Sequence, residues 1–354
     1  MATMSDVAKR AGVALSTVSH ALSGKRPISE ETKRRIFQAM ADLDYQPHAL
    51  ARSLATRHSR IVALLLPPSN STTLLESQFT FVASAAETVR QMGYNLLLWT
   101  APAHDLEILQ MLQQGFVEGL ILMEVSLHDV RVEALKVRGY PFSLIGRCED
   151  NDGISLVDLD FEDALQQAVA HLAGLGHQTI GLVSHFPALV DSGYGPAVRS
   201  LRSFQSAVKT LGLSGIVRGC QATPQDGYEV ARALLVEQPA LTAFIVVLDA
   251  HLSGVVQAVW EAGLHIPEDF SIIGVIAPRS AHLPTLAVTT LDFPAADMGR
   301  IGAELLIKQL TGEAIQPQQF VLRPALTVRQ STGPAHKREG IGSAKGGDRR
   351  ESAT

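Results

Sequence analysis

Cysteine is almost absent. Cys148 and Cys220 are the only two in 354 residues. They are too few for a disulfide framework, and they lack the CxxC spacing of zinc and redox sites. Long apolar runs are missing as well. The longest near the front is residues 61–66, and no stretch approaches the ~18 apolar residues of a membrane-spanning helix. The opening MATMSDVAKR places an acid at Asp6 and contains no apolar core segment, so it does not read as a secretory signal. The chain is expected to be soluble and cytoplasmic. The signatures HExxH, GxSxG, GxxxxGK[ST] and GxGxxG do not occur, which removes the common protease, hydrolase, kinase and dinucleotide chemistries. The twelve histidines form no ligand pattern. His171 and His177 lie six apart in HLAGLGH, and Asp158 and Asp160 alternate at a strand end without a calcium-loop pattern. No enzyme activity, metal or cofactor is expected.

What is present is a core-forming composition, 46% hydrophobic and 18% charged, which excludes a largely disordered chain. The net charge of -5 hides a division. Residues 1–60 hold ten Lys/Arg against five Asp/Glu, residues 61–332 hold fifteen against twenty-seven, and residues 333–354 hold five against three. A small basic head on a large acidic body points to a polyanion partner for the head alone.

The head reads as three short helices. Thr3 and Asp6 signal the first, with Val7, Ala8 and Ala11 on one apolar face. Gly12 breaks it, because glycine tolerates the positive φ of a tight turn. A second helix runs from about Leu15 to Leu22 with Val18, Ala21 and Leu22 inward. Ser29 caps a third, with Glu30 and Glu31 at its positive end and Ile36, Met40 and Leu43 toward the core. Pro47 ends the segment or opens the next one. The connector HALARSLATRHSR, residues 48–60, is helix-capable but too short to be stable alone. From Ile61 onward, short apolar runs (IVALLL, YNLLLW, GLILM, FSLIG, TIGLVS, FIVVL, SIIGVI) alternate with helical patterns near 76–92, 128–138, 161–175, 198–211, 225–236 and 250–262. Continuous apolar strands separated by helices indicate parallel sheets covered on both faces. The span of about 270 residues implies two lobes. Residues 333–354 are rich in Gly, Lys and Arg and read as a disordered tail.

The segments SDVAKRAGVALSTVSHALSG, ISEETKRRI and YQPHALARSL resemble the amino-terminal module of the LacI/GalR family of transcriptional regulators. DLDFEDALQQAVAHLAGLGHQTIGLV and EAGLHIPEDFSIIGV resemble its body less tightly, so the likeness covers about 1–332. The fold this implies is a small all-α helix-turn-helix head plus an α/β two-lobed body of the periplasmic-binding-protein-like kind, with parallel sheets and flanking helices. The implied domains are a DNA-binding head at 1–47, a hinge helix at 48–60 and an effector-binding and dimerisation body at 61–332. Its first lobe is approximately 61–157 with 292–322, and its second 158–291 with 323–332.

The resemblance implies a repressor that grips a near-palindromic operator as a homodimer. Leu15, Ser16 and His20 are expected at base edges, and Thr17 and Ser19 at phosphates. Lys33 and Arg34, with Lys25, Arg26, Arg35, Arg52 and Arg57, are candidate phosphate contacts. Leu54 matches the leucine wedged into the minor groove, the alternative being that it packs on the head. Ala14 and His20 stand where Ser and Arg are usual, so the operator is expected to differ at the base His20 meets. No long carboxy-terminal heptad helix is present, so no tetramer is inferred.

A small effector, expected to be a carbohydrate, would sit between the lobes, with Arg147, Arg199, Asp249 and Arg279 as candidate contacts. Arg147 could instead pair with Glu149 or Asp152, and Asp249 could instead cap a helix. Ser200, Leu248 and Ile276 replace usual sugar-gripping residues, which keeps open a nucleobase or another metabolite. A body that only dimerises, with no effector, is also open. Trp99 and Trp260 could stack on a sugar, although Trp260 reads as core.

Overall fold

The computed structural model describes residues 2–23, 26–45, 58–66, 76–100, 107–313 and 316–336. The head is three helices: α1 (Met4–Ala11), α2 (Leu15–Ser23) and α3 (Glu30–Asp42). Each is fixed by a local signal. Thr3 Oγ1 accepts from the Asp6 backbone N–H while the Asp6 carboxylate accepts from Thr3 N, a reciprocal box that satisfies two otherwise orphaned donors. Gly12 closes α1 at φ 64, in the left-handed region. Ser29 Oγ accepts from Thr32 N at 3.3 Å and starts α3. The head's core is small: Val7, Ala8, Ala11, Val18, Ile36 and Ala39, with Ala21, Leu22, Met40 and Leu43 packed around it. Pro47 and most of the connector lie outside the described residues.

The body contains two six-stranded sheets. The first collects β1 (Ile61–Leu65), β2 (Asn95–Trp99), β3 (Gly119–Leu122), β4 (Phe142–Ile145), β5 (Ser155–Leu159) and β13 (Gln319–Leu322) in the order β13-β5-β4-β3-β1-β2, all parallel. Its helices are α4 (Glu76–Gln91), α5 (Glu107–Gln113), α6 (Val130–Arg138) and α12 (Ala295–Leu310). The second sheet collects β6 (Thr179–His185), β7 (Ser214–Cys220), β8 (Ala243–Val246), β9 (Ser271–Ile276), β12 (Thr289–Asp292) and β14 (Ala325–Thr327) in the order β14-β12-β9-β8-β6-β7. It is parallel except for β14, which runs antiparallel to β12. Its helices are α7 (Phe161–Gly174), α8 (Pro187–Asp191), α9 (Gly195–Thr210), α10 (Pro224–Glu237) and α11 (Asp249–Glu261). A two-stranded hairpin, β10 (His282–Leu283) with β11 (Leu286–Ala287), flanks it. β1, β3, β4, β8 and β9 are buried almost throughout, which is why they read as unbroken apolar runs.

The chain passes between lobes three times: after Leu159, after Asp292 and after Leu322. The first crossing falls two residues beyond the expected boundary at 157, because Asp158 and Leu159 complete β5 alongside β13. The expected start of the tail is corrected too. Gly333 N donates to Ser271 Oγ at 3.0 Å and Ala335 N to Leu175 O at 2.8 Å, so residues 333–336 dock on the second lobe. Residues 337–354 lie outside the described residues. Trp260 is a further correction, being 42% exposed on α11 rather than core. Among the described residues, no helix is long and apolar enough to cross a membrane.

Candidate functional site

Two places bring functional side chains together. The first is the outer face of the head. Val18 is buried and anchors α2 against α1 and α3, which turns Leu15 (51% exposed) and Ser16 outward. Thr17, Ser19 and His20 are half-buried beside them, and His20 Nδ1 has no hydrogen-bond partner among the described residues. Arg34 is exposed, and Lys33 pairs with Glu30 at 2.7 Å in a solvent-screened contact that leaves it available. Arg35, another expected phosphate contact, is exposed. Its guanidinium donates to the carbonyls of Ala11 and Gly12 and ties α3 to the α1–α2 turn. Lys25, Arg52, Leu54 and Arg57 lie outside the described residues.

The second place is the cleft between the lobes, which three sets of contacts hold closed. Ser126 bridges Tyr194, with Leu127 N on Gly193 O at 2.8 Å and Gly195 N on Val125 O at 3.0 Å. Arg199 donates through Nη2 to Arg147 O (2.7 Å) and Cys148 O (3.1 Å) of the first lobe. Asp249, at the start of α11, accepts from Ser77 N of the opposite lobe at 3.2 Å and from Ala277 N at 3.4 Å. Helix α4 therefore points its positive end at Asp249 across the cleft.

Arg147 does not pair with Glu149 or Asp152. Its Nε lies 3.1 Å from Asp158 Oδ2, and Arg199 Nη1 lies 3.7 Å from the same oxygen. Asp158 is 2% exposed, and its burial outweighs the two guanidiniums and pushes its carboxyl up to about 6. Burial likewise lowers the pKa of Arg199.

These contacts enclose a cavity of about 150 Å³. Phe81, Phe161, Phe293, Met123 and Met298 supply its apolar walls, and Gln78, Glu124, Asp158, His185, Tyr194 and Asp249 its polar groups. Of the four candidate effector contacts, only Asp249 lines it. Arg147 and Arg199 stand behind Asp158. Arg279 lies elsewhere, in an open groove with Phe79, Thr80 and Ser84. Trp99 packs on the core of the first lobe, outside the cavity lining. Ser200 is fully buried, Leu248 turns an apolar side chain to the cavity and Ile276 is core. The sequence reading missed Gln78, Glu124, His185 and Tyr194. Glu124 had a usable signal, since it follows the apolar run GLILM at the carboxyl end of a strand, where open α/β sheets bind ligands.

Four imidazoles of the second lobe are held below the usual His range by burial: His171, His177, His185 and His251. His177 is fully committed, to Thr242 (2.8 Å), Ser271 (3.0 Å) and Gly333 O (3.2 Å). His185, pushed down to about 3, stays neutral. In an unfolded chain each would protonate near 6.5, so below that pH the unfolded state binds more protons and stability is lost as pH falls. Asp158, between about 6 and 4, and Asp249, also raised by burial, act in the opposite sense, but the four imidazoles outnumber them. The body is expected to melt several degrees lower at pH 5 than at pH 7. A melting temperature that held or rose at pH 5 would contradict neutral buried imidazoles. Among the described residues, no group of three or more His, Cys, Asp or Glu could hold a metal ion.

A three-helix head that presents an outward helix, joined to two α/β lobes clasped around a cavity, defines a DNA-binding regulator with a ligand-sized cleft. Comparison with known proteins agrees. Residues 3–48 match the bacterial regulatory proteins of the lacI family, and residues 169–332 match the periplasmic binding protein-like domain. The HTH-type transcriptional repressor PurR of Edwardsiella ictaluri is 31% identical over 350 residues, covering 94% of this chain and 97% of that protein. Among solved structures, the lac repressor dimer bound to operator and the anti-inducer ONPF shares the fold with a TM-score of 0.81, at 23% identity, over 94% of this chain and 99% of that one. The transcriptional regulator CelR in complex with cellobiose has a TM-score of 0.69 at 25% identity, over 94% and 100%. This chain belongs to the LacI family of bacterial regulatory proteins. These relatives and fold neighbours are transcriptional regulators, not enzymes.

Proposed function

We propose that this chain is a cytoplasmic transcriptional repressor. It binds near-palindromic operator DNA as a homodimer, and a small molecule in the interlobe cavity controls that binding. The observation that carries the reading is the clasped cavity itself, lined by inward polar groups, in a chain whose head exposes a helix shaped for the major groove. One head supplies a small interface, and two-fold pairing doubles its contacts. Leu15, Ser16 and His20 meet base edges, while Thr17, Ser19, Lys33, Arg34 and Arg52 meet phosphates. The effector acts through its different affinity for closed and open lobes, which sets how the heads are presented.

A cavity of about 150 Å³ is the size that accepts a single ring. Two-ring cellobiose, bound by the relative CelR, is larger than that. A monosaccharide fits the size. The aromatic walls at Phe81, Phe161 and Phe293, with apolar Leu248 beside them, favour a nucleobase-sized planar ring as the second reading. Calorimetric titration of the full chain with monosaccharides and nucleobases, with and without operator, tests this. Ligand binding that shifts operator affinity is the expected result. No binding by any of them would leave a body that only dimerises.

Leu54→Ala is expected to weaken operator binding at least tenfold and to reduce DNA bending, without changing the melting temperature, because an apolar wedge unstacks a base step. Gel-shift and fluorescence-transfer measurements on the operator duplex check it, and unchanged affinity would remove the wedge.

A further inference from the structure

The charged side chains that line the cavity are all acidic: Glu124, Asp158 and Asp249. No Lys or Arg lines it among the described residues, and the sequence segments 67–75 (PPSNSTTLL) and 101–106 (APAHDL) contain none. The guanidiniums of Arg147 and Arg199 both approach Asp158, from outside the cavity. Glu124 has neutral partners instead, Gln78 Nε2 at 3.0 Å and the Tyr194 hydroxyl. Asp249 has backbone N–H groups and the Ser280 side chain. The positive end of α4 eases Asp249 but supplies no full charge. Nearby Arg131 and Asp129 neutralise each other at 2.7 Å. Burial raises the pKa of Asp158 and of Asp249, and with all three carboxyls ionised at pH 7 they stand against two guanidiniums, one excess negative charge.

An independent feature points the same way. His185 is only 6% exposed, lines the cavity, and its Nδ1 has no hydrogen-bond partner. A neutral imidazole carries one donor and one acceptor nitrogen, so an unpaired ring nitrogen beside the cavity leaves one hydrogen bond for a ligand to complete. A neutral sugar would leave the excess charge buried without a counter-ion, which is costly.

We propose that the effector is a single-ring monocation, a ring bearing one protonated amine or amidine. Its charged nitrogen sits against Glu124, and its remaining N–H or O–H donors meet Asp158, Asp249 and His185. This rests on the effector-cavity reading above.

The test uses the full-length chain at pH 7 and matched probes: glucosamine against glucose, and benzamidine against benzamide, followed by calorimetry and thermal shift. Within a pair, the charged member is expected to bind at least tenfold more tightly, and Glu124→Gln should abolish that preference. With no probe present, Glu124→Gln should raise the melting temperature by about 2–4 °C, because it removes the unpaired charge while keeping the shape. Asp249→Asn serves as the second variant. If a neutral probe binds as tightly as its cation, this inference falls and the effector cavity stands. If no probe binds and Glu124→Gln leaves the melting temperature unchanged, both fall. If no probe binds but the melting temperature rises, the monocation assignment falls and the excess charge alone stands.

Discussion

His20→Arg is expected to redirect the operator preference to guanine at the base that the second head helix meets. The two ring nitrogens of an imidazole point away from each other, so it cannot place two donors on one base edge. Arginine can fork onto guanine O6 and N7, and such a bidentate pair is worth about 1–3 kcal/mol of discrimination. A two-fold dimer meets two half-sites, so the combined swing is about 2–6 kcal/mol, on the order of 30-fold to more than 10⁴-fold in relative affinity. His20 is half-buried on α2, and its Nδ1 makes no hydrogen bond among the described residues that the substitution would break. Selection from randomised duplexes, run with both proteins, reads the outcome. The same base chosen by both would sink the assignment. A steeper salt dependence without a changed base would place the new arginine on phosphate.

Arg199→Met should be the most damaging single change in the body. It removes two charged hydrogen bonds across the cleft, to Arg147 O and Cys148 O, and one of the two charges beside buried Asp158. Hydrogen bonds from charged groups contribute about 1.5–3 kcal/mol each, and stranding a buried charge adds to the loss. The expected destabilisation is about 3–5 kcal/mol, or roughly 10 °C in melting temperature. Solution scattering should show a larger radius of gyration as the lobes part. Arg279→Met is the control. Arg279 is exposed in the adjoining groove, so its loss should stay within about 0.5 kcal/mol. Equal melting temperatures for the two variants would show that Arg199 does not hold the lobes.

What could be read from the sequence follows from how locally each feature is encoded. Thr3 with Asp6, Gly12 and Ser29 act within one turn of chain, so the helix ends of the head were visible. Strands buried on both faces announce themselves as apolar runs. β7 did not, because it is an edge strand, mostly half-buried or exposed, with Gly215, Arg218 and Gly219 in it. α12 was passed over because Gly299 and Gly302 weaken a helical pattern. In the fold those glycines are needed where the helix touches its neighbours. A Cβ on Gly299 would meet Phe81 O, and one on Gly302 would meet Ile145. The cavity was the least legible part. Arg147, Asp158 and Arg199 arrive from three separated segments, and no spacing announces that they converge. Asp249 was legible through the family's Asn-Asp pair as well as its place after an apolar run, and Glu124 was open to the second argument alone.

The measurement closest to the heart of the account is sedimentation of the full-length chain on duplex from upstream of its own gene, titrated with a cavity ligand. Two chains per mirrored site are expected, with occupancy shifting as ligand fills the cleft and binding abolished when residues 1–60 are deleted. One chain per site, or attachment that persists without those residues, would contradict it.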